Sequence, residues 1–258
     1  DSSALTAVLD LLRTRHAAAF APQADTAVLA GMLAGVGAGA IESMVKTRAH
    51  TRAVLAGADI VEVKKALVER EAGGLVEFIE PRRSLADYQG QETLKAWLRQ
   101  DIALWRAGDT KALPMGYLFC GPVGTGKTFL VECLAGEAGV PVVKLKNFRD
   151  RWVGSSEGNL EKIFRLVRAL GRCMVFIDEA DQTLGRRDAG GGDSGLSGRL
   201  YSMIAQEMAD GANRGRVMWI LASSRPDLIE VDLKRPGRVD VKVPLLPTAT
   251  TAESAALI

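Results

Sequence analysis

The amino-acid sequence predicts an α/β fold in which helices cover both faces of a parallel five-stranded sheet, preceded by an all-helical region. Between residues 117 and 245, five short apolar runs alternate with amphipathic segments of helical length. Strands buried on both faces of a parallel sheet have this continuous apolar character. Residues 1–74 instead carry apolar residues at helical spacing. We therefore expect a helical region over 1–74, an α/β core over 75–246, and the start of a further helical segment over 247–258.

The composition is that of an ordinary globular protein. The 258 residues are 47% hydrophobic and 25% charged, with a net charge of +2. This charge, without a dense basic block, disfavours a nucleic-acid motor and a nucleic-acid partner. The candidate membrane stretch, residues 26–41, is too short and too rich in glycine for a span, so a soluble protein is expected. The three cysteines have no disulfide or metal spacing, which fits buried thiols in a reducing cytoplasm. The first residue is Asp1 rather than Met, which is consistent with a fragment.

The N-terminal region is expected to contain several helices. Residues 5–12 have helical spacing, and Pro22 ends this segment. Residues 54–55 and 60–68 predict two further helices. Between these segments, residues 35–46 are rich in glycine and alanine, and such small residues let backbones approach closely before a helix begins.

The α/β core is expected to begin with an extended segment, residues 75–81, and an amphipathic helix. Trp97 and Trp105 lie with leucines and an isoleucine on one face of that helix, and both are expected in the core. The strands and helices that follow alternate along the chain. The strands are predicted at 117–120, 141–145, 173–177, 216–222 and 239–245, and the helices at 129–138, 157–170 and 196–208.

The first predicted strand is followed by a glycine-rich loop with the spacing G-x-x-x-x-G-K-T. A polyphosphate needs several backbone N–H groups pointing inward, and glycine-rich turns leave those groups uncovered. The helix that starts at the loop adds its positive dipole end. Lys127 is expected to bridge the β- and γ-phosphates, and the Thr128 hydroxyl to hold Mg²⁺. The motif therefore predicts a nucleoside triphosphate site formed by Gly121, Pro122, Val123, Gly124, Thr125, Gly126, Lys127, Thr128 and Phe129.

A second motif ends the strand predicted at 173–177, where Asp178 and Glu179 follow an apolar run. The carboxyl ends of parallel strands share one edge of a sheet, so these acids are expected beside the phosphate loop. Asp178 is expected to bind Mg²⁺, usually through water, and Glu179 to orient or deprotonate an attacking water. Two adjacent acids favour a hydrolase over a kinase.

These motifs, in this order, resemble those of the AAA family of ring-forming ATPases, from about Leu85 to the C-terminus. Residues 121–128 match the family's phosphate loop, with Val123 where Pro is more usual, and residues 174–181 match its acidic strand. Residues 222–228 look like its sensor segment, and residues 233–240 like its arginine-finger segment. The resemblance implies the three-layer fold of P-loop NTPases with strand order 5-1-4-3-2. It also implies ATP or ADP with Mg²⁺ as cofactors and a homo-oligomeric ring, usually a hexamer.

Three positions carry the catalytic expectations that come with this resemblance. In a ring, Arg235 and Arg238 would point into the neighbour's site, where a guanidinium stabilises charge on the transferring phosphoryl group. The alternative is a turn with two solvated arginines. Ser224 stands where the family usually has Asn, and its shorter arm with one hydroxyl predicts slower hydrolysis or a bridging water.

Two further segments resemble substrate- and adenine-binding parts of the family. Trp152 and Val153 match an aromatic pore loop, which can grip a polypeptide by burying area without reading its sequence. The alternative is a Trp packed beneath its own loop, and residues 190–195 would lie near a second pore loop. Tyr88, Gln89 and Gly90 occupy the place where relatives hold adenine, with Gln89 replacing a usual Gly.

The ends of the chain and the overall function leave alternatives open. Residues 1–70 look like the lid of a preceding, truncated or degenerate module, and the rival is an unrelated helical adaptor. Residues 247–258 look like the start of the lid that follows the family's last strand. The first function is a ring ATPase that remodels, unfolds or threads a protein substrate. The second is a nucleotide-dependent assembly scaffold with low turnover, which Ser224 favours.

Overall fold

In a computed structural model of the protein, residues 2–80, 82–146, 156–184 and 194–247 are described. The helices α1 to α9 are, in chain order, Ser2–Arg15, Thr26–Met32, Ala38–His50, Gly57–Ala72, Glu92–Ala107, Lys127–Ala138, Ser156–Leu170, Ala180–Thr183 and Ser194–Ala209. The strands β1 to β6 are Val76–Ile79, Gly116–Cys120, Val142–Leu145, Cys173–Ile177, Val217–Ser223 and Val241–Pro244. Short 3₁₀ turns lie at Ala17–Ala19, Gly211–Asn213 and Val231–Lys234.

The six strands form one sheet in the order β1-β3-β4-β5-β2-β6. The strands β3, β4, β5, β2 and β6 are parallel to one another. Counted from β6, these five strands confirm the expected order 5-1-4-3-2. The strand count needs a correction, because residues 75–81 were expected as an extended entry alone. β1 instead pairs antiparallel with β3, with Val76 opposite Leu145 and Glu77 opposite Lys144. This partner hydrogen-bonds the backbone of β3, which would otherwise be an unpaired edge.

Helices cover both faces of the sheet, as the sequence predicts. Side chains alternate along β2, so that Tyr117 and Phe119 pack in the core with α5 and α6. Leu118 points to the other face and packs in the core that contains residues of α4, α7 and α9. Because both faces are covered, the strands β2, β4 and β5 are buried along nearly their whole length.

The two tryptophans of α5 have different environments. Trp105 is buried, and its indole N–H donates to Gly215 O at 2.6 Å. Trp97 was expected in the core, but its side chain is 37% exposed, and its ring meets Tyr117 edge-on with centroids 6.3 Å apart. The prediction for Trp97 is wrong because the adjacent Leu98 takes the fully buried position on the helix.

The N-terminal helices enclose a hydrophobic core of their own, which includes Leu9, Leu33 and Ile41. The prediction of a helix around residues 54–55 is wrong, because these residues lie in the loop between α3 and α4. Residues 26–41, the stretch considered above as a membrane span, contain α2, which has seven residues. No helix in the described ranges is both long and apolar enough to cross a bilayer.

Helix α4 joins this region to the sheet. Its Val68 and Ala72 belong to the core that covers β3, β4 and β5. Its Lys64 is buried, and the ammonium donates to Leu170 O at the end of α7 at 2.6 Å. Burial lowers the pKa of Lys64 because desolvation disfavours the charged form. The lid and adaptor hypotheses for this region both stay predictions, and residues 248–258 lie outside the described residues.

Two of the cysteines are fully buried. Cys133 lies in α6 and Cys173 in β4, and burial raises the pKa of these thiols to about 11 and about 12. Cys120 at the end of β2 is half-buried, and burial also raises its pKa. Burial therefore disfavours the thiolate, which is the reactive form of cysteine.

Candidate functional site

The predicted catalytic motifs come together at one edge of the sheet. Gly121 directly follows β2, Asp178 follows β4, and Ser224 follows β5. These strands are parallel, and β5 lies between the other two. Their carboxyl ends therefore meet at the same edge, which is where open α/β sheets bind ligands.

The phosphate loop has the backbone that its glycines predict. Gly124 and Gly126 have φ of 90° and 77°, in a region that other residues rarely adopt. A Cβ on Gly121 would lie 2.2 Å from Leu245 O, so a side chain there is excluded. Helix α6 begins at Lys127, and the N–H groups of its first turn have no partner within the helix. A cradle of bare amides at a helix N-terminus fits a phosphate chain.

The side chain of Lys127 bonds to the backbone of this loop. Its ammonium donates to Gly121 O and Pro122 O, both at 2.7 Å. Both acceptors are carbonyl groups of the loop itself, so a phosphate oxygen with a full negative charge would be a stronger acceptor. Val123, at the tip of the loop, is 89% exposed.

Tyr88 supports the phosphate loop from the protein interior. Its side chain is buried, and the hydroxyl donates to Thr125 O at 3.2 Å. Its ring stacks on Phe129, with centroids 6.3 Å apart. Gln89 is exposed and Gly90 has φ of 75°. The adenine-binding role of these three residues stays a prediction.

Thr128 and Asp178 form the oxygen pair expected of a Mg²⁺ site. The Thr128 hydroxyl donates to Asp178 Oδ2 at 3.2 Å, and both side chains are partly buried. Hydroxyl and carboxylate oxygens suit Mg²⁺, which binds few protein ligands and keeps waters and substrate phosphates for the rest of its octahedron. The described residues contain no group of three His, Cys, Asp or Glu that could form an all-protein metal site. The oxygens of Thr128 and Asp178 fit a Mg²⁺ ion that takes its other ligands from water and phosphate.

Glu179 has an unusual backbone conformation. Its φ of 47° and ψ of 48° lie in the left-handed region. This conformation costs a non-glycine residue about 1 kcal/mol or more and is enriched at functional sites. Its amide donates to Asp178 Oδ1 at 3.1 Å, and its side chain is exposed at the edge of the sheet.

The two serines at the end of β5 differ in their surroundings. Ser224, the expected sensor residue, is exposed. Ser223 is buried; its hydroxyl donates to Asp181 Oδ1 and accepts from the amide of Arg225 at 3.0 Å. This bond fixes the sensor segment to the segment that follows β4. Sequence reasoning missed Ser223 and Asp181, because nothing in the spacing identifies them as partners.

Sequence reasoning also missed Lys144, in β3. Its ammonium lies 2.9 Å from Asp178 Oδ2, the oxygen that accepts from Thr128. A lysine inside an apolar run was the available signal, because lysine is rare in strands buried by helices.

The backbone next to Arg238, one of the two candidate arginine fingers, lies at the opposite edge of the sheet. Asp240, two residues after Arg238, donates its amide to Gly116 O at the first residue of β2. The phosphate loop follows the last residue of β2, about 13 Å further along the strand. Arg238 pairs with Asp232, and Arg235 Nη1 lies 3.4 Å from Asp232 Oδ1. The backbone next to Arg238 therefore lies at the edge of the sheet away from the phosphate loop of its own chain.

The candidate pore-loop residues Trp152 and Val153 lie outside the described residues. Their role stays a prediction.

Comparison with known proteins gives a family match over the region that contains these motifs. Residues 117–245 match the model of the "ATPase family associated with various cellular activities (AAA)". A cell division cycle protein 48 homolog from Archaeoglobus fulgidus is 31% identical over 217 residues, which cover 80% of this chain and 28% of that protein.

Other relatives are ATP-dependent zinc metalloproteases of the FtsH type. An ATP-dependent zinc metalloprotease FtsH from Chloroflexus aggregans is 35% identical over 173 residues, covering 64% of this chain and 26% of the relative. A chloroplastic FtsH 6 from Oryza sativa is 37% identical over 150 residues, covering 56% and 22%. The chain thus spans about a quarter of the length of the relatives it matches. The family match covers half of the chain, including the phosphate loop and the acidic strand, and the chain accordingly belongs to the AAA family and carries its ATP-hydrolysing domain.

Proposed function

We propose that this chain hydrolyses ATP with Mg²⁺ in a homo-oligomeric, hexameric ring that remodels, unfolds or threads a protein substrate. The observation that carries the proposal is the contact between Thr128 and Asp178, 3.2 Å apart, at the end of an amide-lined loop and beside Glu179. In this proposal, the phosphate-binding loop, the metal ligands and the general base lie in one site at one edge of the sheet.

Each residue of this edge has a role that follows from its position. The loop amides and the ammonium of Lys127 bind the β- and γ-phosphates. Thr128 and Asp178 hold Mg²⁺, which when bound neutralises charge on the phosphate oxygens. Glu179 accepts a proton from the attacking water. Ser224 donates its hydroxyl to that water or to the γ-phosphate, directly or through a second water.

Arg235 and Arg238 complete the site of the neighbouring subunit. The position of the backbone next to Arg238, at the sheet edge opposite the phosphate loop, supports this. In the isolated chain the carboxylate of Asp232 pairs with both side chains. Arg235 is the more exposed, with 70% of its side chain accessible against 22% for Arg238. A guanidinium supplied in this way stabilises the charge that develops on the γ-phosphoryl oxygens.

The protein-remodelling role rests on the family and on the resemblance of Trp152 and Val153 to a pore loop. Relatives with this domain are named as a Cdc48 homolog and as ATP-dependent proteases. We propose that the two residues contact an extended polypeptide in the channel of the ring.

The catalytic assignment is tested with Glu179→Gln. Gln keeps the shape of the side chain but cannot accept a proton. We expect ATP turnover to fall about 100-fold or more, in line with the loss of a general base, while nucleotide affinity and oligomer size stay unchanged. Glu161→Gln, at an exposed position of α7, is the matched control and is expected to keep wild-type turnover. Unchanged turnover in Glu179→Gln would refute the assignment.

A second candidate is a nucleotide-dependent scaffold with little turnover. The observation that favours it is Ser224, whose short hydroxyl replaces an amide side chain at the sensor position. Substrate-stimulated turnover separates the two functions. A threading motor should hydrolyse ATP faster with an unfolded polypeptide and lose this response in Trp152→Ala, whereas a scaffold should show no response in either form.

A further inference from the structure

A lysine lies at the proposed metal site. Lys144 is in β3, between the buried residues Val143 and Leu145. Its ammonium is 2.9 Å from Asp178 Oδ2 and 5.4 Å from the centroid of the Phe176 ring. The side chains of Lys144 and Asp178 are 24% and 26% exposed. The ion pair is therefore partly shielded from water, where charge interactions are stronger than on an open surface.

The ammonium of Lys144 binds the carboxylate oxygen of Asp178 that would also bind a metal ion. Asp178 Oδ2 accepts from both the Lys144 ammonium and the Thr128 hydroxyl. A Mg²⁺ ion between Thr128 and Asp178, whether bound directly or through water, would be a second cation within a few ångströms of the ammonium. Two positive charges at one carboxylate repel each other, so the metal and the lysine compete.

The antiparallel strand β1 offers the lysine a second acceptor. Glu77 stands directly opposite Lys144 in the β1–β3 pair. Side chains of directly opposed residues lie on the same face, with Cβ atoms about 5 Å apart. Glu77 is therefore within reach of the ammonium after a change of rotamer.

The surroundings of this pair are open enough for that movement. A cleft of about 370 Å³ contains Glu77 and Lys144 together with Thr128. The other two carboxylates of this cleft already have cations: Glu80 pairs with Lys65 at 2.9 Å and Glu132 with Arg83 at 3.5 Å. Glu77 forms no ion pair with any of the described residues, so it can accept the ammonium.

We propose that Lys144 takes the place of Mg²⁺ at Asp178 in the nucleotide-free protein, and that binding of Mg²⁺ with a nucleotide moves its ammonium from Asp178 to Glu77. Lys144 and Glu77 then act as positioning residues that set how much Mg²⁺ the site requires. This inference rests on the proposed function of Thr128 and Asp178.

The test is a Mg²⁺ titration of the whole chain in the presence of a fluorescent ADP analogue. Replacement of Lys144 by Met removes the competing charge, and we expect the half-saturating Mg²⁺ concentration to fall about tenfold, because the removed charge faces a divalent ion at close range. Glu77→Gln removes the second acceptor, and we expect that concentration to rise about threefold, since an exposed pair contributes little. Without Mg²⁺, Lys144→Met should also melt at a lower temperature than the wild type, because Asp178 loses its partner.

Controls distinguish competition from a structural role. Lys162→Met, at an exposed position of α7, is expected to leave the titration unchanged. Lys144→Gln keeps a hydrogen-bond donor without the charge; it should show the same fall and serves if Lys144→Met does not fold. A lower melting temperature with an unchanged Mg²⁺ titration in these variants would overturn the inference and leave the proposed function intact. A wild-type chain that binds no adenine nucleotide at any Mg²⁺ concentration would overturn both.

Discussion

Ser223 and Ser224 are adjacent but differ in burial and in bonding. Ser223 is buried and bonds Asp181, which ties the end of β5 to the segment after β4. Ser224 is exposed at the carboxyl edge of the sheet. The buried bond holds the exposed residue at a fixed position, and the length of the Ser224 side chain then limits which groups it can reach.

Ser224→Asn is predicted to increase ATP turnover. The Asn amide is longer than the Ser hydroxyl and carries donors and an acceptor, so it can reach both the γ-phosphate and the attacking water. One additional hydrogen bond in the transition state corresponds to roughly a tenfold increase in kcat. Steady-state kinetics on both forms measure this effect.

The controls for this substitution distinguish an effect of side-chain length on hydrolysis from an effect on folding stability. Nucleotide affinity is expected to stay the same, because the change acts on the hydrolytic step. Ser223→Asn should instead lower stability, because the larger side chain does not fit a fully buried site. A Ser224→Asn variant with wild-type kcat would contradict the sensor role.

The residues of the site differ in how far the sequence predicts them. The phosphate loop is predictable because its eight residues are consecutive and their geometry is local. Asp178 and Glu179 are predictable because a strand end in a parallel sheet has a known edge. The contact of Lys144 with Asp178 is not predictable in this way, since it depends on which strands are neighbours and on a rotamer.

At the scale of secondary structure, helix α4 is the element that connects the two parts of the chain. It contributes Ile60 to the N-terminal core and Val68 to the core of the sheet. The hydrogen bond from Lys64 to Leu170 O lies between these two ends. The helical region and the sheet are therefore expected to unfold together.

Val68→Ala is predicted to destabilise the whole chain by about 2 kcal/mol, from the lost methyl groups and the cavity they leave. Val54→Ala is the matched control, since Val54 lies in a loop and is 46% exposed, and its effect is expected within about 0.5 kcal/mol. Urea unfolding followed by circular dichroism and by tryptophan fluorescence measures both. Equal midpoints for the two variants would contradict the packing of α4 on the sheet.

The elements that the sequence mispredicts have non-local causes. Residues 76–79 alternate weakly, and their strand is defined by its pairing with β3, more than 60 residues away in the chain. Residues 54–55 are apolar but lie in a loop, where Leu55 donates its amide to Ala19 O and so packs against the N-terminal helices. The strands β2, β4 and β5 are predicted correctly because each is a nearly continuous buried apolar run.

At the scale of the whole molecule, the sheet separates the two halves of the proposed hydrolytic centre. The phosphate loop and the acids lie at the carboxyl edge, and the backbone next to Arg238 lies at the amino edge. Both ends of β2 take part, since the loop follows its last residue and Asp240 bonds its first. If Arg235 and Arg238 act in hydrolysis, as proposed, we expect them to act at the site of a second copy of the chain.

Mixing two inactive variants tests this requirement most directly. Lys127→Ala removes the phosphate-binding ammonium but keeps the arginines, and Arg238→Ala keeps an intact phosphate site but lacks a finger. In an equimolar mixed ring, about half of the subunits keep Lys127, and about half of their neighbours keep Arg238. About a quarter of the sites in the ring are therefore complete. We predict that the mixture recovers ATP hydrolysis to about that fraction, although each variant alone is inactive. A mixture that forms rings but hydrolyses ATP no faster than the sum of its separate components would contradict the account.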